Sequence, residues 1–310
     1  MKARNRIKTL LLSLVVIAAV IAGVYSYGVW QVRHLNADVE LPETPNGLLV
    51  SFELDSAATM RAQTGSPVFF DMGSRHSFAS EGEVDILRAQ GYPFREEGCL
   101  IVTTDPAGHY RLYTRKIILD LPFPNPELPG GYYVIPEVTL LVHKGQNIFG
   151  MDLLRRMVIE RLWETNELRI LTRVPDEYET VSPINVYDAR MGGLFGRSLR
   201  ASVDLVVNNE EPREYFFDTG GEMRAIELVQ PFDKARHALS RVETDSLTGY
   251  PTQRRCMVRF GNRIRYSSVI YCDTLHTDEY SVNPLRLFDQ DMVLDMPGHR
   301  LLIHKTRNAQ

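Results

Sequence analysis

The chain has 310 residues, 44% of them hydrophobic and 24% charged, so it is long enough for one large or two smaller folded units. Its formal net charge of -4 gives no electrostatic case for a nucleic-acid partner, which would need a basic face to neutralise phosphates. Three cysteines exclude a disulfide framework, and eight scattered histidines, with no His-Glu-x-x-His and no Cys-x-x-Cys, supply no metal-ligand spacing. No cofactor and no metal is expected.

Lys2, Arg4, Arg6 and Lys8 precede an uncharged run from Thr9 to Trp30 rich in Leu, Ile, Val and Ala. These 22 residues are long enough to cross a bilayer core of about 30 Å. Tyr25, Tyr27 and Trp30 stand where an interfacial aromatic belt would lie. An uncleaved, single-pass anchor over residues 9–30 is expected in preference to a cleaved signal peptide, because no A-x-A-like site precedes Tyr25. Basic residues stay in the cytoplasm, which puts the C-terminal part outside it, periplasmic or extracellular. His34 to Asn46 reads as a short polar linker.

Gly47 to Leu54 suits a first strand, and Ser66 to Asp71 a second that ends in Asp71-Met72-Gly73-Ser74. Ser80 to Gln90 predicts a helix, with Ser80 as N-cap, acidic residues in the first turns and Gly91 at its end. Cys99 to Thr104 and His109 to Leu121 predict a hairpin around Asp105-Pro106-Ala107-Gly108. Pro136 to His143 follows as a strand, then Asn147-Ile148-Phe149-Gly150-Met151-Asp152, a short helix with Asp152 as its cap, and a strand from Leu168 to Thr172. After a boundary near Pro175 to Pro183 the order recurs. Arg200 to Val207 and Arg213 to Asp218 are strands, the latter ending in Asp218-Thr219-Gly220-Gly221. Val229 to Leu239 is expected to be helical, Cys256 to Tyr271 a hairpin, and Met292 to Ile303 the last strands. A two-residue turn at Gly261-Asn262 would set Cys256 opposite Ser267 and keep Cys272 out of bonding reach, so free buried thiols are expected.

The two aromatic-aromatic-Asp-x-Gly segments, about 147 residues apart, indicate a duplicated half-site. Each aspartate alone is commonly a turn former whose carboxylate binds local N–H groups; the repeat favours two carboxylates that meet. With the helix, the hairpin and Ile148-Phe149-Gly150-Met151-Asp152-Leu153, the pattern resembles the retropepsin-like and pepsin-like aspartic proteases from about Gly47 to Lys305. The resemblance implies an all-β, bilobal fold with few short helices: residues 1–34 as cytoplasmic tip and anchor, 35–178 as the first lobe and 179–310 as the second. It implies peptide-bond hydrolysis, without cofactor, by an Asp71/Asp218 dyad. Gly73, Ser74, Thr219, Gly220 and Gly221 would lie against a peptide or protein substrate under the hairpin residue Tyr110, with Tyr113 as the next candidate. One chain carries both halves, so a monomer suffices.

The sequence departs from the family pattern in two places. Met72 stands where active members carry Thr or Ser, and it fits a core filler. Asn283-Pro284-Leu285-Arg286-Leu287-Phe288 lacks the glycine of the first-half element. The alternative function is therefore a catalytically silent protein that binds peptides or a membrane partner. Tyr110 and Tyr113 also fit simple packing on one sheet face.

Overall fold

The computed structural model describes residues 2–54, 58–105, 109–188, 199–220, 228–231, 242–244, 246, 249–261, 263–272 and 280–305. Helix α1 runs over Lys2–His34. Its Leu12–His34 stretch, of mean hydropathy 2.1, is long and apolar enough to cross a membrane; Leu12, Leu14, Val15, Val16, Ile17, Val20, Ile21 and Val24 are exposed, while Val32 near its end is buried. A membrane anchor and a signal sequence share these properties. The segment after the helix is no loose linker: Leu35, Asn36, Ala37 and Val39 are buried against the following domain.

The first half contains β1 (Leu48–Glu53), β2 (Thr59–Arg61), β3 (Pro67–Phe70), β4 (Phe78–Ser80), α2 (Glu81–Ala89), β5 (Phe94–Thr104), β6 (Tyr110–Pro124), β7 (Tyr132–His143), β8 (Asn147–Phe149), α3 (Met151–Leu154), β9 (Val158–Leu162) and β10 (Glu167–Leu171). Helix α2 starts where the sequence places it, because the Ser80 hydroxyl accepts a hydrogen bond from the Glu83 N–H at 2.9 Å. It stops before Gly91, whose φ of +69° lies in the left-handed region that side-chain-bearing residues avoid. Seven strands form one sheet in the order β2-β3-β8-β4-β7-β6-β5.

The second half contains β11 (Tyr178–Pro183), β12 (Asn185–Tyr187), β13 (Arg200–Val207), β14 (Arg213–Phe217), β15 (Leu228–Pro231), β16 (Glu243–Thr244), β17 (Pro251–Phe260), β18 (Arg263–Cys272), β19 (Ser281–Val282), a 3₁₀ turn at Pro284–Arg286, β20 (Met292–Asp295) and β21 (Arg300–His304). Its eight-stranded sheet runs β12-β13-β14-β19-β15-β18-β17-β16, with a further pairing of β13 to β17. The central order β14-β19-β15-β18-β17 reproduces β3-β8-β4-β7-β6, with β3–β8 and β14–β19 both parallel. The fold is thus a mostly β, bilobal, aspartic-protease-like one.

Three further expectations need correction. Val229 to Pro231 is strand rather than the start of a helix, because β15 pairs in parallel with β18; the rest of that expected helix lies outside the described residues. Asp152 caps nothing: Gly150 holds the N-cap position of α3, and the Asp152 carboxylate is wholly buried among other donors. Strand β9 stands where only a short helix was expected. The cysteine expectation holds as far as it is described: Cys256 lies opposite Ser267, and Cys99 and Cys256 are free and buried.

A third sheet, β1-β10-β9-β20-β21-β11, takes three strands from each half and joins them. Its β9 is buried along nearly its whole length despite carrying Glu160 and Arg161. Glu160 accepts from the Tyr178 hydroxyl at 2.6 Å, and Arg161 lies over the Trp163 ring at 4.3 Å while donating to the Leu285 carbonyl. Paired in this way, both charges are tolerated inside the sheet.

Candidate active site

Each Asp-x-Gly turn is fixed by its parallel strand partner. The Asp71 N–H donates to the Phe149 carbonyl of β8 at 3.0 Å, and the Asp218 N–H donates to the Val282 carbonyl of β19 at 2.9 Å. Within the turns, the Gly73 N–H donates to Asp71 Oδ1 at 2.8 Å, and the Gly220 N–H donates to Asp218 Oδ1 at 3.0 Å. The two segments, at equivalent places in the two halves, therefore build the same local geometry.

The turns face one another. A Cβ placed on Gly73 would lie 2.9 Å from Asp218 Oδ1 and 3.1 Å from Asp71 Oδ1. A Cβ on Gly220 would lie 2.6 Å from the Asp71 carboxyl carbon. Glycine is required at both places because each carboxylate occupies the space beside the opposite turn. The structure thus brings together Asp71, Gly73, Asp218 and Gly220.

Thr219 supplies the crossing bonds. Its hydroxyl donates to the Phe70 carbonyl at 2.6 Å and accepts from the Met72 N–H at 3.0 Å. Met72 has no hydroxyl to return the contact; it is buried to 2% exposure and fills the first-half core. The bracing of the two turns by side-chain hydroxyls is therefore made from the second turn.

Asp71 is buried and Asp218 only half-buried. Burial, and then the neighbouring Asp218 carboxylate, push the Asp71 carboxyl up to about 7, against the pull of the Gly73, Ser74 and Gly220 N–H groups. Two carboxylates this close release their protons as a unit rather than independently. Below neutrality the pair accordingly retains one proton, and the deeper burial of Asp71 favours the neutral form there.

The other expected positions are placed as follows. Ser74 is buried, with its hydroxyl donating to the His76 carbonyl at 2.9 Å and its N–H to the Asp71 carbonyl at 3.2 Å, so it holds the turn from within. Tyr110 opens β6 opposite Thr104, beside the hairpin tip, and is 48% exposed. Tyr113 is buried against Phe78 with ring centroids 5.3 Å apart, and burial pushes its hydroxyl up to about 12. The tip is tied by the His109 N–H to Asp105 Oδ1 at 2.9 Å and by Arg111 to Asp105. Gly221 and the tip residues 106–108 lie outside the described residues. Among the described residues no group of three or more His, Cys, Asp or Glu side chains is placed to hold a metal ion.

Beneath the first turn lies a polar cluster that the sequence did not signal. Asp152 accepts from the Ser77 hydroxyl at 2.6 Å and from the Asn36 amide at 2.8 Å. His76 Nδ1 lies 4.0 Å from Asp152. Burial, with Arg75 and Arg155 adding to it, lowers His76 to about 3, so the imidazole is neutral. Neither Ser77 nor His76 belongs to a motif, and Asn36 is 116 residues from its partner.

No protein-family model matches the chain, and no curated protein matches it by sequence. Among solved structures, basic 7S globulin from soybean superposes with a TM-score of 0.52 at 11% identity, covering 84% of this chain and 95% of that one. Conglutin gamma, a basic 7S globulin from lupine seeds, gives 0.49 at 9% identity over 83% and 94% of the two chains. An aspartic proteinase from Irpex lacteus gives 0.45 at 10% identity over 79% and 92%. At these identities the soybean likeness speaks for the fold alone, and the two lower scores carry no argument. The chain has an aspartic-protease-like fold in which two Asp-x-Gly turns converge.

Proposed function

We propose that this protein is an aspartic endopeptidase that hydrolyses peptide bonds outside the cytoplasm, held to the membrane by α1. The observation that carries the proposal is the mutual approach of the turns, each carboxylate lying against the opposite glycine. One shared proton then divides the labour. The ionised partner, Asp218 in the favoured arrangement, removes a proton from a water held between the carboxylates. Protonated Asp71 donates a hydrogen bond to the scissile carbonyl oxygen as that carbon becomes tetrahedral. The proton taken up by Asp218 passes to the departing amine, and the peptide C–N bond breaks. The β5–β6 hairpin, with Tyr110 at its tip end, is the cover that excludes bulk water. The lobes 35–178 and 179–310 each contribute one carboxylate, so a single chain suffices.

A second reading has its own support. Met72 leaves the bracing of the turns to Thr219, which favours a protein that binds peptides without cutting them. Full-length protein in detergent micelles, incubated with a diverse peptide pool between about pH 3.5 and 7.5, separates the two. New peptide termini support hydrolysis. Retention of peptides by folded protein without any new terminus supports binding and overturns the protease reading.

A further inference from the structure

Asn36 follows the membrane helix by two residues and is buried in the first half. Its φ of +52° is in the left-handed region, which asparagine tolerates better than most residues. There its carboxamide acts as a strand neighbour for β7. Nδ2 donates to the Thr139 carbonyl at 2.9 Å, and Oδ1 accepts from the Thr139 N–H at 2.8 Å. Nδ2 also donates to Asp152 Oδ2 at 2.8 Å.

From Asp152 a chain of bonds leads to the dyad. The Ser77 hydroxyl donates to Asp152 Oδ1 at 2.6 Å and accepts from the Gly150 N–H at 3.0 Å. Gly150 adjoins Phe149, whose carbonyl accepts the Asp71 N–H at 3.0 Å. A Cβ on Gly150 would strike the His76 carbonyl, so the backbone of these two segments is packed closely here. The second half lacks this brace: counting from the carbonyl that receives the Asp218 N–H, Leu285 stands where Asp152 stands in the first. The same segment is anchored independently. Gln31 Oε1 accepts from the Leu100 N–H of the hairpin at 3.0 Å, and Val32 and Leu35 pack with Phe78, Ile101, Tyr113 and Ile148.

We propose that Asn36 is a positioning residue for Asp71: by clamping Asp152 it holds Ser77 against the Gly150 N–H, which makes the membrane-proximal segment part of the active site. The proposal rests on the protease reading for its catalytic consequence, but the brace itself can be tested without it. Asp152 is a fully buried carboxylate, and loss of the Asn36 donor leaves one of its oxygens short of a partner in a place water does not reach. The turn must then adjust, and small displacements of reacting groups cost rate rather than substrate affinity.

The test uses full-length protein in detergent micelles with Asn36→Ala, Asn36→Asp, Asp152→Asn and the Asn36→Ala/Asp152→Asn pair. Asn36→Ala is expected to lower kcat about tenfold with KM changed by less than about twofold. Asn36→Asp, which sets a second carboxylate against Asp152, should lower it at least as far. The double variant should be no worse than the poorer single one, because both changes break one link. Amide exchange at Gly150 should accelerate about tenfold in Asn36→Ala while exchange in β20 stays unchanged. An unchanged kcat, additive losses in the pair, or exchange that accelerates equally throughout the molecule overturns the proposal. If the wild type cuts nothing, the protease reading falls, and unchanged exchange at Gly150 would remove the brace as well.

Discussion

Replacing Thr219 by valine preserves the side-chain shape and deletes the hydroxyl that ties the two turns together. In the native protein that hydroxyl donates to Phe70 and accepts from Met72, and both Met72 and Thr219 are 2% exposed. The variant leaves a carbonyl and an N–H unsatisfied in a site closed to water, at about 1–3 kcal/mol each. A loss of about 2–6 kcal/mol in unfolding free energy is therefore expected for Thr219→Val. The turns are also the seats of the carboxylates, so kcat for peptide hydrolysis should fall on the order of 100-fold, as misplacement by an ångström would cause. Thr219→Ser keeps the hydroxyl, loses only a methyl, and should retain most of both properties. Denaturant unfolding of the full-length protein and initial rates on one cleaved peptide read the two effects. Wild-type stability and rate in Thr219→Val would refute the idea that this hydroxyl holds the dyad.

Gly220→Ala should abolish hydrolysis, since its Cβ would lie 2.6 Å from the Asp71 carboxyl carbon; Gly73→Ala, with 2.9 Å to Asp218 Oδ1, should be similarly inactive, and near-normal rates in either would place the carboxylates elsewhere. Met72→Thr exchanges a buried side chain for a hydroxyl on the partner turn; it should cost about 2–3 kcal/mol of packing in a denaturation curve, yet hold or raise kcat, and a lost kcat would show that Met72 itself shapes the site. The raised titration of Asp71 means the folded state keeps a proton that the unfolded chain releases. Stability from this group therefore falls as pH rises from the ordinary carboxylate range to about 7, and hydrolysis fails over the upper end of that range; Asp71→Asn should flatten the stability slope, and an unchanged slope would contradict the assignment. His76 has the opposite sign: its folded pKa is lowered from 6.5 to about 3, so its share of stability is complete above 6.5 and is lost as pH falls towards 3. His76→Gln should lose stability less steeply on acidification than the wild type, and parallel curves would refute this.

What the sequence made legible was local. The Ser80 cap, the turn at Gly261 that sets Cys256 against Ser267, and the strands running into Asp71 and Asp218 depend on neighbouring residues, and each appears where the residues place it. The duplicated topology could be read because each half repeats its own local signals. Strand β9 could not, since Glu160 and Arg161 interrupt its apolar pattern and are satisfied by the Tyr178 hydroxyl and the Leu285 carbonyl, which lie outside the strand's own neighbourhood. Pro231 suits the first turn of a helix as well as the end of a strand, and only the parallel partner β18 decides between them. The segment after α1 looks like a linker because its few apolar residues have no periodicity; what fixes it is Asn36 bonding to Thr139 and Asp152, more than 100 residues away. Asp152 fits a helix cap by position, and its burial with Ser77 and Asn36 is a product of the tertiary fold.

The central claim is that one reaction is carried by two carboxylates from different halves of the chain. Its most direct measurement is the initial rate of peptide hydrolysis by full-length wild type, Asp71→Asn and Asp218→Asn, each checked for an unchanged fold. The account predicts that either substitution alone abolishes cleavage of a peptide the wild type cuts, since neither carboxylate can replace the other. Cleavage that survives both substitutions would place the chemistry elsewhere in the molecule.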